Sequence, residues 1–186
     1  MSSDEILAAA GRVFGRDGYE RATLERIAQE AGVSRVTLHR RGVSKEALLG
    51  SLTERAVERY RAALWPALTA RGTGRERLES ALPALCAAAE EHRPLLEALG
   101  TRRDEVFHEE GEDAMTRSFF VEPLVRLIED GTSDGTLRAC GDPEERATVL
   151  FNLVGWTYLH LRGGHGWSPE RATEAVVDVA LNGVAA

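Results

Sequence analysis

Between Ala31 and Lys45 the chain reads AGVSRVTLHRRGVSK. Four cations stand there, Arg35, Arg40, Arg41 and Lys45, without one Asp or Glu among them. Ser34, Val36, Thr37 and His39 are interleaved with them. Such a set suits a polyanion. Guanidinium and ammonium groups neutralise phosphates, and hydroxyl and imidazole groups donate to phosphate oxygens. Arginine and methyl-bearing side chains distinguish base edges in a DNA major groove. The stretch is unusual in its own chain, whose formal net charge is −7. Residues 1–50 hold eight Lys/Arg against seven Asp/Glu, and residues 51–186 hold fifteen against twenty-three. That asymmetry implies an N-terminal part that meets a polyanion and a C-terminal part that does not.

Other chemistry has little support. The chain has no Gly-rich phosphate loop and no spacing of nucleophile and base that marks a hydrolase. His92 and His108-Glu109-Glu110 lack the HExxH or CxxC spacing of a metal site and fit a solvated face. No catalytic residue, metal or cofactor is therefore expected, and the chain is not expected to be an enzyme. Cys86 and Cys140 are too few for a disulfide framework, which fits a reducing cytoplasm. The start, MSSDEI, is acidic where a signal peptide is basic. The longest uncharged run, Ala147 to Leu161, falls short of the roughly 20 apolar residues that span a bilayer, so no membrane partner is expected. With 43% hydrophobic and 28% charged residues, the composition is that of a globular protein.

The elements that position the cationic stretch are helices. Strand alternation is nearly absent, whereas helical periodicity recurs throughout. Ser2 with Glu5 forms a capping box for a first helix with Ile6, Leu7, Ala10, Val13 and Phe14 inward, closed by Gly18. Thr23 caps a second, Ser34 a short third, and Ser44 a fourth that runs from Lys45 to about Ala70. Further helices are predicted over 75–92, 94–99, 104–130, 143–162 and 169–182, with Pro at the first position of the last two. Pro66, Pro83 and Pro123 fall inside helical patterns, either as unrecognised helix ends or as bends that leave a cavity between helices. The fold class is all-α.

The second and third helices have helix-turn-helix spacing. Ala28 stands four residues before Gly32, and Leu38 six after it. A small residue lets the helices cross closely, and Gly32 takes a left-handed turn that a Cβ would strain. Ile27, Val33 and Leu38 then bury together, leaving Arg35, Val36, Thr37, His39 and Arg40 outward. Lys45, the chain's only lysine, opens the fourth helix, where a cation opposes the helix dipole. A phosphate held jointly by that N-terminus and the ammonium would offset the cost.

The stretch TLERIAQEAGVSRVTLHRRGVSKEALL resembles the signature of the tetracycline-repressor (TetR-like) family of bacterial regulators. The matching positions are Thr23, Ile27-Ala28, Ala31 to Ser34, Thr37-Leu38, Ser44 to Glu46 and Leu48-Leu49. His39 stands where that family usually has Tyr, and Gly42 where it usually has Phe. The resemblance implies a transcriptional regulator, most simply a repressor released by a small-molecule effector. An N-terminal three-helix DNA-binding domain, residues 1–50, precedes a helical effector-binding and dimerisation domain, residues 51–186. Thr23, Ser34, Arg35, Val36, Thr37, His39, Arg40 and Lys45 are the expected DNA contacts. Trp65, Cys86, Phe107, Met115, Phe119, Trp156 and His160 are the expected effector pocket. Leu150, Leu153, Val154, Thr157 and Leu161, with Val176 and Val179, are the expected homodimer seam. The partners would be a palindromic double-stranded operator, a small molecule not specified by the sequence, and a second copy of the chain. The competing reading is an all-α small-molecule-binding or protein-interaction module without DNA binding. A retarded DNA band that disappears with Arg40→Ala separates the two.

Overall fold

The computed structural model describes residues 2–100, 106–108 and 116–183. Among them are eight helices and no strand: α1 (Ser3–Asp17), α2 (Leu24–Ala31), α3 (Arg35–Arg40), α4 (Lys45–Thr69), α5 (Gly74–Leu99), α6 (Ser118–Ser133), α7 (Pro143–Gly163) and α8 (Pro169–Asn182). The all-α class holds. The caps read from sequence are in place. Ser2 and Glu5 close a reciprocal capping box on α1, and Thr23, Ser34 and Ser44 each accept a backbone N–H at the start of their helices; Asp142 and Ser168, not read as caps, do the same ahead of Pro143 and Pro169.

Two expectations are corrected. The helices predicted over 75–92 and 94–99 are one helix, α5, which continues through Pro94. A proline removes one helical hydrogen bond, but side-chain packing can hold the helix through it. A Cβ on Gly15 would lie 3.0 Å from the Pro94 Cβ, so α1 is already against that ring. Of the helix predicted over 104–130, the long part, α6, starts only at Ser118. Ahead of it, His108 pairs with Thr116 in an isolated antiparallel bridge, which one continuous helix would not allow. Pro66, Pro83 and Pro123 lie inside α4, α5 and α6, so they do not mark helix ends.

The chain forms two compact units, Met1–Glu58 with His92–Val106, and Arg59–Glu91 with Phe107–Ala186. In the first, Ile6, Ala9, Ala10, Val13 and Phe14 of α1 bury against Ile27, Ala28 and Leu38. The Tyr19 ring packs 5.3 Å from that of Phe14, and its backbone N–H donates to the Ala98 carbonyl at 3.1 Å.

In the second unit the core runs along Leu64, Leu82, Leu124, Leu127, Val154 and Ala172. The Tyr60 hydroxyl donates to the Phe120 carbonyl at 2.7 Å and is buried, which raises its pKa. Arg162 donates twice to Glu90, at 3.0 and 2.8 Å, and Tyr158 donates to the same carboxylate at 3.0 Å. This charge-assisted cluster fastens α7 to α5 where both are largely out of water. The start of α5 is held by the turn that precedes α7. The Gly74 N–H donates to the Asp134 carboxylate at 2.6 Å and the Arg75 N–H to the Thr136 hydroxyl at 3.2 Å. These side chains take up donors that a helix N-terminus leaves open.

That junction has no room for side chains. A Cβ built on Gly74 would sit 2.1 Å from the Gly131 nitrogen and 2.3 Å from its Cα, so the backbones of α5 and α6 touch there. Gly74→Ala is expected to cost about 2–3 kcal/mol by forcing two helices apart. Gly50→Ala, in the exposed interior of α4 with nothing within 4 Å, is expected to stabilise by roughly 0.5–1 kcal/mol. Urea midpoints of the two variants should move in opposite directions. A neutral Gly74→Ala would contradict the close approach.

Candidate nucleic-acid interface

The turn between α2 and α3 is built as its spacing requires. Gly32 has φ 71° and ψ 29°, a left-handed conformation that a side chain would strain, and the Val33 N–H returns to the Ala28 carbonyl at 2.9 Å. The Ser34 hydroxyl accepts the Thr37 N–H at 3.1 Å and shares a hydrogen bond with the Thr37 hydroxyl at 2.9 Å. Leu38 is the one residue of α3 that is fully buried, so a six-residue helix is anchored by a single side chain and its cap. Arg35, Val36, His39 and Arg40 are left in solvent, with Val36 74% exposed. Thr37 is half-buried. Gly42 has φ 66° and is exposed where the chain leaves α3, so it ends the helix and fills no core position.

Charge pairing separates α3 from its neighbours. In α1 and α2, Arg12 pairs with Glu30 at 2.7 Å, Arg16 with Glu30 and with Asp17 at 3.2 Å each, and Arg26 with Asp17 at 2.9 Å. The Arg16 hydrogen bond is the largest influence holding the Asp17 carboxyl below its ordinary range, and the Arg12 hydrogen bond does the same for Glu30. No acidic residue lies in the first turn of α3, and Arg35, His39 and Arg40 have no ion-pair partner among the described residues. The cations of α1 and α2 are neutralised within the chain. Those of α3 remain available to an external anion.

Thr23 is exposed but its hydroxyl already accepts the Arg26 N–H at 3.3 Å as the α2 cap. Lys45 is half-buried: its ammonium donates to the Tyr19 carbonyl at 3.0 Å and lies 4.3 Å from the centre of the Tyr19 ring. The Tyr19 hydroxyl in turn donates to Glu46 at 3.3 Å. An ammonium has three donors, so this seat orients Lys45 and leaves further donors for a phosphate. Tyr19 is the residue the sequence reading missed. Its only signal was an aromatic directly after the Gly18 cap.

The residues expected to line an effector pocket divide. Phe107 stacks on Phe120 at 4.7 Å between ring centres and meets Trp156 edge-on at 5.0 Å, while Phe119 packs 4.6 Å from Phe120. Phe107, Phe119 and Trp156 are therefore gathered in one aromatic cluster. Cys86 is buried, which pushes its thiol up to about 11. Trp65 is 63% exposed, and His160 is exposed at the end of α7 with its ring 5.0 Å from that of His165. Neither joins the cluster through a ring contact among the described residues, and Met115 lies outside those residues. The cluster also has a polar edge that the sequence reading missed. The Trp156 indole donates to the Asn152 side chain at 2.9 Å, and the Asn152 amide donates to the buried Thr116 hydroxyl at 2.9 Å. The Thr148 hydroxyl, on the same helix, is buried without a hydrogen-bond partner. Asn152 is an amide within the otherwise largely apolar run 147–161, and that was its signal.

The expected dimer seam is corrected in part. Val154 is 0% exposed and Val176 is buried, so both close the chain's own core and present nothing to a partner. They were misassigned because α7 is apolar on more than one face, and spacing alone does not say which face is inward. Leu153 and Val179 are 40% and 45% exposed, Thr157 is exposed, and Leu150 and Leu161 are half-buried. Val149, 65% exposed, belongs with them.

A helix-turn-helix with unpaired cations on its outward helix, carried by an acidic all-α chain, defines a DNA-binding regulator. Residues 6–52 match the sequence model of the family described as "Bacterial regulatory proteins, tetR family". Solved structures share the fold over the whole chain. A Clostridium perfringens putative fatty acid metabolism regulator is 20% identical, covering 98% of this chain and 99% of its own, with a TM-score of 0.77. The regulator FadR from Bacillus subtilis, in complex with stearoyl-CoA, is 16% identical over 99% and 100%, with a TM-score of 0.76. The TetR-family regulator PfmR from Thermus thermophilus is 22% identical over 97% and 99%, at 0.74. No curated protein sequence matches the chain. Residues 6–52 are thus similar to the DNA-binding domain of that family, and the chain as a whole has the fold of these solved regulators. No helix among the described residues is long and apolar enough to cross a membrane. No group of three or more His, Cys, Asp or Glu among them is placed to hold a metal ion.

Arg35→Ala is expected to cost ~1–3 kcal/mol in operator affinity and to relax preference at one base position, whereas Arg40→Ala should weaken all sequences alike. Competition among single-base operator variants distinguishes the two, and a uniform loss for Arg35→Ala would remove it from base readout. A second outcome concerns acid. Asp17 and Glu30 ionise more readily in the folded chain than in the unfolded one. They therefore stabilise the fold above the ordinary carboxylate pKa, and that contribution is lost as pH falls through their lowered folded values. Asp17→Asn with Glu30→Gln should flatten the fall of melting temperature between about pH 5 and pH 3. Parallel wild-type and variant curves would show that the α1–α2 ion pairs contribute nothing.

Proposed function

We propose that this regulator is a dimeric repressor whose hold on a palindromic operator is released by a small molecule bound in its C-terminal part. Residues 1–50 bind DNA, and residues 51–186 bind the effector and dimerise. The observation that carries the reading is the contrast in charge pairing: Arg35 and Arg40 on α3 lack carboxylate partners among the described residues, while Arg12, Arg16 and Arg26 on the adjoining helices have them. Arg35, Val36 and Thr37 at the start of α3 read bases; Thr23, Ser34, His39, Arg40 and Lys45 hold the backbone.

One six-residue helix touches too few bases to be specific, so two heads on a two-fold axis are required. The exposed side of α7 and α8, with Val149, Leu153, Thr157 and Val179, supports a four-helix seam between copies. The effector region is the cluster of Phe107, Phe119 and Trp156 with the Thr116, Thr148 and Asn152 hydroxyl and amide groups along one edge. A ligand there acts through α4, which joins the DNA-binding domain to the rest of the chain. It needs only a differential affinity of a few kcal/mol between the DNA-bound and released arrangements. Among the similar structures, the one from Bacillus subtilis holds stearoyl-CoA, which makes a long-chain acyl thioester the first effector to test.

Selection of genomic fragments by the purified protein should enrich a palindrome, and stearoyl-CoA is the first compound to add to the resulting complex. Leu153→Glu with Val179→Glu should give a folded monomer in sedimentation and abolish the complex. Val176→Glu is unsuitable, since that side chain is buried. A wild-type monomer at micromolar concentration that still binds the palindrome would contradict the proposal.

A further inference from the structure

Lys45 is followed directly by an acid, Glu46, which is the nearest carboxylate to it along the sequence. The Glu46 carboxyl is held below its ordinary range, first by its own backbone N–H and, against some desolvation, by the Ser44 and Tyr19 hydroxyls as well. It is therefore ionised at neutral pH. A carboxylate beside an ammonium competes with any external phosphate for it. Yet Lys45 and Glu46 form no ion pair among the described residues. On α3 the cations are unpaired because no acid stands in the helix. At the start of α4 an acid is present, and something else holds it.

Both side chains end on one residue, Tyr19. Its ring lies 4.3 Å from the Lys45 ammonium, and its carbonyl accepts a hydrogen bond from that ammonium at 3.0 Å. Its hydroxyl donates to the Glu46 carboxylate at 3.3 Å. A phenol can do both at once. The face of the ring is negative and draws a cation, while the O–H is a donor and draws an anion. Tyr19 is itself fixed. It is 2% exposed, its ring packs 5.3 Å from that of Phe14, and its backbone N–H donates to the Ala98 carbonyl at 3.1 Å. A side chain held this firmly imposes its geometry on its two charged neighbours.

We infer that Tyr19 is a positioning residue for DNA binding: its hydroxyl holds Glu46 away from Lys45 while its ring and carbonyl seat the ammonium, so that the lysine meets DNA without a carboxylate on it. The role rests on the reading that Lys45 holds a phosphate, and its test separates the two.

Tyr19→Phe keeps the ring and the carbonyl and removes only the hydroxyl, which leaves Glu46 able to turn to Lys45. The readout is binding of the full-length protein to a labelled palindrome, measured over a range of salt concentration. Affinity should fall about three- to tenfold, the size expected when an exposed ion pair must be broken on each of two heads. The salt slope should become shallower by about one. Adding Glu46→Gln to Tyr19→Phe should restore both, because the amide has no charge to offer the ammonium. Glu46→Gln alone should change each by less than it does beside Tyr19→Phe, which is the coupling that a double-mutant cycle reads. A tyrosine needed only for packing would give a loss that Glu46→Gln does not reverse. Wild-type binding by Tyr19→Phe, a loss that persists with Glu46→Gln, or an equal effect of Glu46→Gln with and without the hydroxyl would each overturn the role. Lys45→Ala separates this role from the reading beneath it and should lower the slope by about two. An unchanged slope there would defeat the phosphate contact and the role of Tyr19 with it. A lowered slope there beside wild-type binding by Tyr19→Phe would defeat the role of Tyr19 alone.

Discussion

A cation binds an external phosphate only if no carboxylate of its own chain holds it first, and the function of this protein depends on that constraint. The chain is acidic overall, so an arginine readily folds next to an acid. Around α1 and α2 the outcome is a closed network in which Glu30 takes Arg12 and Arg16, and Asp17 takes Arg16 and Arg26. The network also ties the two helices that support the turn. Its exposed pairs add little stability individually, but they engage Asp17 and Glu30. Arg35, Val36, His39 and Arg40 of α3, a helix with no acid in it, then face outward beside helices whose arginines are already paired.

Holding so short a helix in place needs several local devices, because isolated helices of this length do not persist in water. Leu38 supplies the buried anchor, Ser34 the cap, and Gly32 the left-handed turn. Lys45 and Tyr19 add a fourth support. The ammonium seated on the Tyr19 carbonyl and ring fixes the start of α4 relative to the loop after α1. The same lysine thus joins the frame of the domain to the surface proposed to meet the phosphate backbone. In the second unit an analogous constraint is steric: α5 and α6 approach at Gly74 and Gly131 with no side chain between them. The Asp134 carboxylate then reaches the N–H of Gly74, which has no partner within its own helix.

Much of this was legible in the sequence, for identifiable reasons. α8 has the predicted span, and α4 and α7 end within one residue of it, because Ser168 and Asp142 cap helices that open with Pro and because long amphipathic patterns are unambiguous. The helix-turn-helix was legible because Gly32, Ala28 and Leu38 have a spacing with few alternatives. At Pro94 the residue type was misleading: proline removes a helical hydrogen bond but does not by itself end a helix, and α5 runs through it with α1 packed against the ring at Gly15. Val154 and Val176 were misplaced because an apolar residue on a helix that packs on both sides does not reveal which side it faces. The Thr116–Asn152 hydrogen bond joins residues 36 positions apart, a long-range relation that periodicity does not carry.

The central claim is that the unpaired cations of α3 and the start of α4 neutralise DNA phosphates, and the salt dependence of operator binding tests it most directly. With Arg40 and Lys45 contacting phosphates on each of two heads, about four counterions are displaced. The logarithm of the binding constant should then fall against the logarithm of salt concentration with a slope of about −3 to −4. Fluorescence anisotropy of a labelled operator between 50 and 300 mM salt, roughly the range over which such slopes are read, measures this directly. A slope of that size, reduced by about two in the Arg40→Ala dimer, is the result the account predicts. A slope near zero, or one unchanged by Arg40→Ala, would contradict it.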